Sequence, residues 1–351
     1  MTLPREFAIG DRTVGPGHPC YVIAEAGANH NKDLDIARRL IDVAADAGAD
    51  AVKFQTYSGA LYSTKTPGFK YLEPTTDLSP GELLADIALP REWQGELAAY
   101  ATERGIDFFS TPFDHDAVRE LAALGVPVLK IASFEIVDPQ LIRAAGATGL
   151  PLIISTGMAM LGEIEDAIEA AVAGGAPAVG LMQCASVYPA APELINLRAM
   201  ATMERAFQVP VGLSDHSLGI NIPIAAAALG AAFVEKHYTL DRTMPGPDHS
   251  FALEPDELTA MVTGIREAHA ALGDGRKAGP SPEEREEMYT LARRSLVAAR
   301  DIPAGTAIAA DMVTTKRPGF GIAPKQLELV VGRTLKVDVE EDEVLVWEMF
   351  G

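Results

Sequence analysis

Short apolar runs alternate with helical patterns along most of the chain, and each run leads into polar or ionisable residues at its C-terminal end. The runs are Cys20–Ala24, Ala51–Phe54, Asp107–Phe109, Val128–Ile131, Leu152–Ile154, Val179–Met182, Val211–Leu213 and Ala232–Val234. The helical patterns between and after them include Asp35–Ala47, Arg91–Arg104, Gly162–Ala173, Leu218–Leu229 and Pro255–Leu272. Eight strand–helix repeats predict an α/β fold, a (β/α)8 TIM barrel, whose chemistry is built where the strands end.

The pattern changes after the last barrel helix. Gly273–Ser281 is rich in glycine, proline and charge, and Pro282–Arg293 predicts a short connecting helix. Short β runs then follow, at Leu296–Ala299, Val313–Lys316, Leu335–Val337 and Val344–Trp347. We therefore predict a barrel catalytic domain over 1–272, a linker over 273–293 and a small β-rich domain over 294–351.

One long insertion interrupts the second strand–helix repeat. Ser58–Leu89 is rich in threonine, proline, glycine and tyrosine. Long insertions on the catalytic face of a barrel usually shape substrate binding or form a lid.

Composition narrows the class of protein. The formal net charge of −20 makes nucleic acids and anionic membranes poor partners. No window approaches the ~20 apolar residues that cross a membrane, and Met1–Gly10 holds no long apolar stretch typical of a secretory signal. Cys20 and Cys184 fall in predicted strands and read as reduced core residues, so we expect a cytoplasmic protein.

Two histidines close the last two predicted strands. His216 and His237 follow neighbouring strands, which lie about 4.8 Å apart, so both imidazoles can reach one metal ion. Only two protein ligands are evident, which leaves open positions for water or substrate, as in a catalytic site. The alternative is that each histidine hydrogen-bonds a carbonyl at the end of the barrel.

Three lysines lie in or beside the apolar runs. Lys53, Lys130 and Lys236 indicate a dianionic ligand, because buried lysines are rare unless paired. The alternative is ion pairing with Glu25, Glu135 and Glu235. Small hydroxyl side chains at the same strand ends favour phosphate, although each alone suits a helix cap: Thr111, Ser133, Ser155 and Ser214.

Other motifs are less specific. His30 is a candidate base or a capping residue, and the remaining histidines, His18, His115, His249 and His269, are predicted to be surface or structural. The sequence contains no phosphate-binding P-loop, dinucleotide fingerprint or Gly-x-Ser-x-Gly nucleophile elbow.

Taken together, these segments resemble the N-acetylneuraminate (sialic acid) synthase family, which includes the pseudaminic and legionaminic acid synthases. The resemblance covers nearly the whole chain. In the barrel it rests on Ile23–Asn31, Ala51–Tyr57, Phe108–Asp114, Leu129–Ile136, Ile154–Met158, Cys184–Ala190, Gly212–Ile220 and Glu235–His249. Arg293–Gly305 and Lys316–Leu327 resemble the family's antifreeze-like (SAF) domain.

The resemblance implies a reaction. Members condense phosphoenolpyruvate with an open-chain N-acylated hexosamine, such as N-acetylmannosamine, and release phosphate by C–O cleavage. It also implies that His216 and His237 hold Mn²⁺ or Mg²⁺, which polarises the sugar aldehyde.

Matching positions carry over further roles. The resemblance implies that phosphoenolpyruvate is bound by Lys53, Thr111, Lys130, Ser133, Ser155, Ser186 and Ser214. It implies that the sugar is oriented by Glu25, Gln55, Tyr188, Asp248 and Arg317, the last from the partner subunit of a domain-swapped homodimer. The candidate catalytic residues are Glu25, Lys53 and Glu135, with Glu135 for proton transfer.

Some positions depart from the neuraminate pattern. Ser186 stands where neuraminate-type members often have asparagine, and Arg293 replaces an aromatic residue of some of them. Ser133–Ile136 is nearer the pseudaminic type, whereas Glu25–Asn31 is nearer the neuraminate and legionaminate types. The sugar is therefore open between N-acetylmannosamine and a 2,4-diacetamido-trideoxyhexose.

Two competing interpretations remain. A related condensing enzyme would use a phosphorylated aldose, but the second phosphate needs its own cationic cluster. An ice- or glycan-binding protein would leave His216, His237, Lys53 and Lys130 unexplained.

Overall fold

The protein is described here from a computed structural model, which describes residues 3–67 and 78–351. These residues form two compact units, Met1–Gly273 and Asp274–Gly351. Part of the predicted insertion, residues 68–77, lies outside the described residues.

The first unit is a barrel of eight parallel strands. They are β3 (Tyr21–Gly27), β4 (Ala51–Thr56), β5 (Asp107–Pro112), β6 (Leu129–Ile131), β7 (Leu152–Ser155), β8 (Val179–Cys184), β9 (Val211–Asp215) and β10 (Phe233–His237). The hydrogen-bonded order is β5-β4-β3-β10-β9-β8-β7-β6, and β5 lies beside β6. The predicted barrel is confirmed, and most strands extend further than predicted, into the polar residues that follow the apolar runs.

Helices alternate with the barrel strands and cover them. They are α1 (Leu34–Asp46), α2 (Pro80–Ile87), α3 (Gln94–Glu103), α4 (His115–Leu124), α5 (Pro139–Gly146), α6 (Leu161–Gly174), α7 (Pro192–Ile195), α8 (Arg198–Phe207), α9 (Asn221–Ala228) and α10 (Pro255–Leu272). Asp33 shows how such a helix begins, because its carboxylate accepts from the backbone N–H groups of Asp35 and Ile36. None of the described helices is long and apolar enough to cross a membrane.

A short hairpin, which the sequence pattern did not predict, lies at the N-terminal end of the barrel. It comprises β1 (Phe7–Ile9) and β2 (Arg12–Val14), which pair antiparallel. The Phe7 ring lies 6.0 Å from that of Phe233, and Ile9 and Val14 are fully buried. The hairpin therefore closes the end of the barrel opposite to the strand C-termini.

The second unit has its own small core. It contains α11 (Pro282–Glu286), α12 (Met288–Leu291), β11 (Ser295–Ala298), β12 (Val313–Lys316) and α13 (Leu327–Val330). The single helix predicted over Pro282–Arg293 is thus two short helices. The β runs predicted at Leu335–Val337 and Val344–Trp347 were wrong as strands, since their residues pair only through isolated bridges. The core side chains are Leu296, Ala298, Ile302, Ile308, Ile322, Val330, Leu335, Val339, Leu345 and Phe350.

Candidate active site

A polar cavity opens where the barrel strands end, and each of the eight strands contributes to it. Its lining residues are Glu25, Lys53, Gln55, Thr111, Phe113, Lys130, Ala132, Ser133, Phe134, Ser155, Cys184, Tyr188, Ser214, His216, Glu235 and His237. Side chains two positions apart on a strand share a face, which is why Lys53 and Gln55 both reach it. The structure thus brings together most of the residues predicted from the sequence.

Two buried lysines dominate the charge of this cavity. Lys53 Nζ donates to Thr111 Oγ1 at 3.0 Å and lies 2.8 Å from Glu25 Oε2. Lys130 Nζ donates to Ser155 Oγ at 2.7 Å. The carboxylate of Glu235 lies between them, with Oε2 at 3.7 Å from Lys53 Nζ and 3.5 Å from Lys130 Nζ. The predicted pairing of lysines with Glu25 and Glu235 is therefore present, in the same cavity as the phosphate-type hydroxyls.

The lysines and carboxylates shift one another's ionisation. Burial alone would raise the pKa of Glu235, but Lys130 and Lys53 outweigh it and hold that pKa below the usual range. Burial raises the pKa of Glu25, against the attraction of Lys53. Burial lowers the pKa of Lys130, and repulsion from Lys53 adds to the effect against the attraction of Glu235. The charged form of Lys130 is therefore destabilised in the cavity, and a bound anion would stabilise it.

His216 and His237 lie side by side, as predicted. Their ring centroids are 5.4 Å apart, and the Tyr188 ring stacks 4.1 Å from that of His216. His216 Nδ1 donates to the carbonyl of Ala185 at 2.9 Å, which leaves Nε2 able to bind a cation when the ring is neutral. His237 Nδ1 is buried and has no hydrogen-bond partner among the described residues.

These two rings fit a divalent cation with open coordination positions. Burial, with repulsion from His216 and Lys53, holds the pKa of His237 well below its usual value, so this ring is neutral and carries a lone pair. Within residues 3–67 and 78–351, no group of three or more histidine, cysteine, aspartate or glutamate side chains is arranged to hold a metal. A pair of histidines leaves positions for substrate and water.

Asp248 approaches the histidine pair from the loop after β10. Its Oδ2 lies 3.8 Å from His237 Nδ1, and burial raises its pKa to about 6. Gly27 makes this approach possible, because a Cβ at that residue would lie 3.0 Å from Asp248 Oδ2 and 3.4 Å from the His237 ring. The backbone φ of +52° at Gly27 also favours glycine.

Two further predicted hydroxyls meet around another glycine. The backbone N–H of Gly157 donates to Ser133 Oγ at 3.0 Å. A Cβ at Gly157 would lie 2.3 Å from Ser186 Oγ and 2.8 Å from Ser133 Oγ. A small cradle of donors therefore lies beside Lys130, of the kind that suits phosphate oxygens.

Glu135 lies next to the cavity on a single turn of 3-10 helix. Its Oε2 is buried without a hydrogen-bond partner among the described residues. Burial raises the pKa of Glu135 to about 7, against hydrogen bonding from its own backbone and the attraction of Lys130. Near neutral pH this carboxyl can both give and accept a proton.

Three other predicted residues do not line the cavity. Lys236 does not line the cavity, because it pairs with Asp215 on the opposite face of the strands. His30 is also outside the cavity, where its Nδ1 accepts from the backbone N–H of Lys32 at 3.0 Å, in the turn before the helix cap Asp33. Arg317 is exposed in the second unit.

Two ionisable lining residues were not predicted from the sequence as part of the site. Cys184, predicted as core, contributes its Sγ 3.8 Å from His216 Nδ1. Glu235 was considered only as an ion-pair partner, yet it lies on the cavity face beside Ser214, whose Oγ donates to it at 3.0 Å. The signal was its position two residues before His237, since residues i and i+2 of a strand share a face.

Comparison with known proteins decides the family. A sequence model described as the NeuB family matches residues 40–277. The chain belongs to the NeuB family. A model of the SAF domain matches residues 293–351, which identifies the second unit. NeuB-family proteins are nonulosonic acid synthases, so this chain is an enzyme of phosphoenolpyruvate condensation.

Individual relatives match along most of their length. An uncharacterized protein of Methanocaldococcus jannaschii is 42% identical, over 98% of this chain and 98% of the relative. The N,N'-diacetyllegionaminic acid synthase of Campylobacter jejuni is 41% identical, over 92% of this chain and 98% of the relative. The crystal structure of the N-acetylneuraminic acid synthetase of Leptospira borgpetersenii, in complex with citrate, is 37% identical with a TM-score of 0.71, covering 82% and 96% of the two chains.

Proposed function

We propose that this NeuB-family enzyme condenses phosphoenolpyruvate with the open-chain form of an N-acylated hexosamine, releasing phosphate and forming a 2-keto-3-deoxy acid. One observation carries the proposal. Two buried lysines and their hydroxyl partners lie in one cavity with a pair of histidines fit to bind a divalent cation. The lysines suit a trianionic substrate, and the histidine pair suits a cation that polarises a carbonyl, so the proposed reaction needs both features in one cavity.

The lysines bind the anion. Lys53 and Lys130 provide buried positive charge, and Thr111 and Ser155 fix the direction of each ammonium group. The hydroxyls of Ser133, Ser186 and Ser214 supply further donors around the phosphate and carboxylate. Charge-assisted hydrogen bonds of this kind are the strong ones.

The bond changes are as follows. The methylene carbon of phosphoenolpyruvate attacks the sugar aldehyde, forming a C–C bond, while the aldehyde oxygen takes up a proton. Water adds to the resulting cationic C2 and loses a proton. The C2 hydroxyl then loses its proton as the C2–O bond to phosphate breaks, which gives the ketone and inorganic phosphate.

The chain's own residues serve these steps. A divalent cation held by His216 and His237 would polarise the aldehyde oxygen. Glu135, with its pKa near 7, moves protons at the reacting oxygens. Glu25 and Gln55, joined by a 2.8 Å hydrogen bond, orient the sugar hydroxyls together with Tyr188 and Asp248.

Two sugars are supported by specific observations. The 41% identity to the legionaminic acid synthase of C. jejuni favours a 2,4-diacetamido-trideoxyhexose. N-acetylmannosamine is the second candidate, favoured by the structural likeness to the synthetase of L. borgpetersenii. A phosphorylated aldose is disfavoured, because Lys53 and Lys130, which this proposal assigns to phosphoenolpyruvate, are the only lysine or arginine side chains in the described lining of the cavity.

A phosphate-release assay tests the proposal. It uses the full chain with phosphoenolpyruvate, Mn²⁺ or Mg²⁺, and a panel of 2,4-diacetamido-trideoxyhexoses, N-acetylmannosamine and arabinose 5-phosphate. We expect turnover with an N-acylated sugar and none in the His216→Ala or His237→Ala variants. Turnover only with the aldose phosphate, or undiminished turnover of both histidine variants in metal-free buffer, would contradict the proposal.

The second unit supplies a further part of the proposal. We propose a domain-swapped homodimer in which Arg317 of one subunit binds the sugar in the other, since a guanidinium can give two hydrogen bonds to an acyl oxygen. Mixed dimers of His237→Ala and Arg317→Ala chains should regain part of the activity. Demonstrated subunit exchange without recovered activity would contradict the swapped arrangement.

A further inference from the structure

A buried ion pair lies directly behind the two histidines. Asp215 precedes His216 and Lys236 precedes His237, and both charged side chains are only 1% exposed. Lys236 Nζ donates to Asp215 Oδ2 at 2.5 Å. The reaction proposed above uses neither residue.

Strand geometry explains why the pair lies there. Lys236 and Asp215 are direct partners in the ladder between β10 and β9, and Glu235 and Ser214 are the pair before them. Because side chains alternate along a strand, Ser214 and His216 face the cavity while Asp215 faces away from it. The ion pair is therefore on the outer face of the barrel, one residue before each histidine.

The pair also holds the turn that carries His216. Asp215 Oδ1 accepts from the backbone N–H of Ser217 at 3.0 Å, and Oδ2 accepts from Ser217 Oγ at 2.8 Å. Lys236 donates in addition to the carbonyl of Ser217. Residues on both sides of His216 are thereby fixed to the strand that ends in His237.

Stability alone does not account for such a pair. Replacing a buried ion pair by apolar residues of similar volume is often neutral or stabilising, because desolvation of two charges offsets their attraction. What the charges add is direction, since the two acceptors of the Lys236 ammonium group, Asp215 Oδ2 and the Ser217 carbonyl, restrict where that group can lie. Precise placement matters most for ligands that must share one cation.

We propose that Asp215 and Lys236 are positioning residues that set the separation and orientation of His216 and His237 for a divalent cation. This inference rests on the cation site of the proposed function. It assigns the two residues a role in metal affinity rather than in contact with substrate.

The test uses the full chain and measures metal binding directly. Asp215→Leu/Lys236→Met removes both charges and leaves neither charge unpaired. It also removes the hydrogen bonds through which the pair holds Ser217. Mn²⁺ affinity is measured by electron paramagnetic resonance, Co²⁺ coordination by its visible spectrum, and folding by thermal unfolding. Arg266→Met is the matched control, because it breaks an ion pair with Asp50 in the same barrel, on the side away from the histidines.

We expect the double variant to fold and to bind Mn²⁺ about tenfold to a hundredfold more weakly, with an altered Co²⁺ spectrum. Arg266→Met should lower stability and leave both metal readouts unchanged. A folded double variant with wild-type affinity and spectrum overturns the positioning role while the cation site stands. Wild-type protein that binds Mn²⁺ no better than His216→Ala overturns the cation site, and the positioning role with it.

Discussion

Both ends of the barrel bury carboxylates, but the hydrogen bonding of these carboxylates differs between the two ends. At the N-terminal end, Asp50 is 2% exposed, and both its oxygens accept hydrogen bonds. Its donors are the backbone N–H of Val22 at 2.6 Å and the guanidinium groups of Arg12 and Arg266. This end therefore has its buried charge balanced within the fold.

At the C-terminal end, Glu135 Oε2 and His237 Nδ1 are buried and have no hydrogen-bond partner among the described residues. The Oε2 atoms of Glu25 and Glu235 instead lie 2.8 Å and 3.5 Å from lysine ammonium groups of the cavity. A buried polar group without its hydrogen bond costs about 1–3 kcal/mol. The contrast teaches that one end is completed by the chain alone, whereas the other is arranged to be completed by what it binds.

Removal of Asp50 should produce the largest loss of stability. Asp50→Ala leaves Val22 N–H and two arginines without their acceptor, and breaking a buried pair costs about 3–5 kcal/mol. Because Arg12 is 55% exposed and Arg266 34% exposed, both cations can regain water, so we expect the lower end, about 3 kcal/mol. Urea unfolding measures this loss. The KM for phosphoenolpyruvate should not change. A large rise in this KM would show that Asp50, at one end of the barrel, affects substrate binding at the other.

Removal of Lys130 should show the reverse pattern. Lys130→Met deletes a buried cation whose nearest carboxylate, Glu235, is 3.5 Å away and also lies 3.7 Å from Lys53. A charge-assisted contact from Lys130 to a bound anion would contribute about 1.5–3 kcal/mol. We expect phosphoenolpyruvate binding to weaken by about tenfold to a hundredfold, with a smaller loss of stability than in Asp50→Ala. Calorimetric titration with each substrate measures this effect. Equal weakening for phosphoenolpyruvate and the sugar would mean that Lys130 is structural.

Glu135→Gln should raise stability while it lowers activity. Burial raises the pKa of Glu135 from 4.5 to about 7, so the folded protein binds this proton more tightly than the unfolded chain does. Wild-type stability therefore falls as pH rises from 4.5 to about 7 and stays lowered above that, by up to about 3 kcal/mol. Glutamine cannot ionise and escapes this loss.

The check is urea unfolding of both proteins across pH. The advantage of Glu135→Gln should be present at pH 8 and absent at pH 4, while phosphate release falls by about a hundredfold or more. A pH-independent difference in stability would show that the carboxyl of Glu135 is hydrated in the folded state.

The barrel was predictable because its repeat is strong. Each apolar strand run is bounded by a helix signal, and the polar residues after it mark the end of the strand, as His237 illustrates. The β1–β2 hairpin was not predictable in this way, because its strands have three residues each and carry no period.

The residues of the site could be predicted from the sequence, but the face of the strand on which each side chain lies was not predicted for all of them. Lys236 was grouped with Lys53 and Lys130 because all three lie in or beside apolar runs. The structure places Lys236 on the opposite face, where it meets Asp215. Alternation along β10 already opposes Lys236 to His237, so the correct face follows from the position of one accepted site residue. The pairing with Asp215 needs the register between β9 and β10, which a single sequence does not supply.

The smallest effect is expected at the N-terminal end, from Tyr21→Phe. The Tyr21 hydroxyl donates to Asp107 Oδ2 at 2.6 Å, and Tyr21 is 1% exposed. Loss of the hydroxyl removes one hydrogen bond to the Asp107 carboxyl, whose pKa is already raised by burial. We therefore expect about 1–2 kcal/mol of destabilisation.

The pH dependence of this loss of stability follows from the hydrogen bond, because the Tyr21 hydroxyl stabilises the ionised form of Asp107 more than the neutral form. Without it the pKa of Asp107 rises further, and the deficit should be larger at pH 8 than at pH 4. Urea unfolding at the two pH values measures this deficit, with unchanged kinetic constants for both substrates as the companion result. A shift in KM for phosphoenolpyruvate would mean that the hydrogen bonds at one end of the barrel set the geometry at the other.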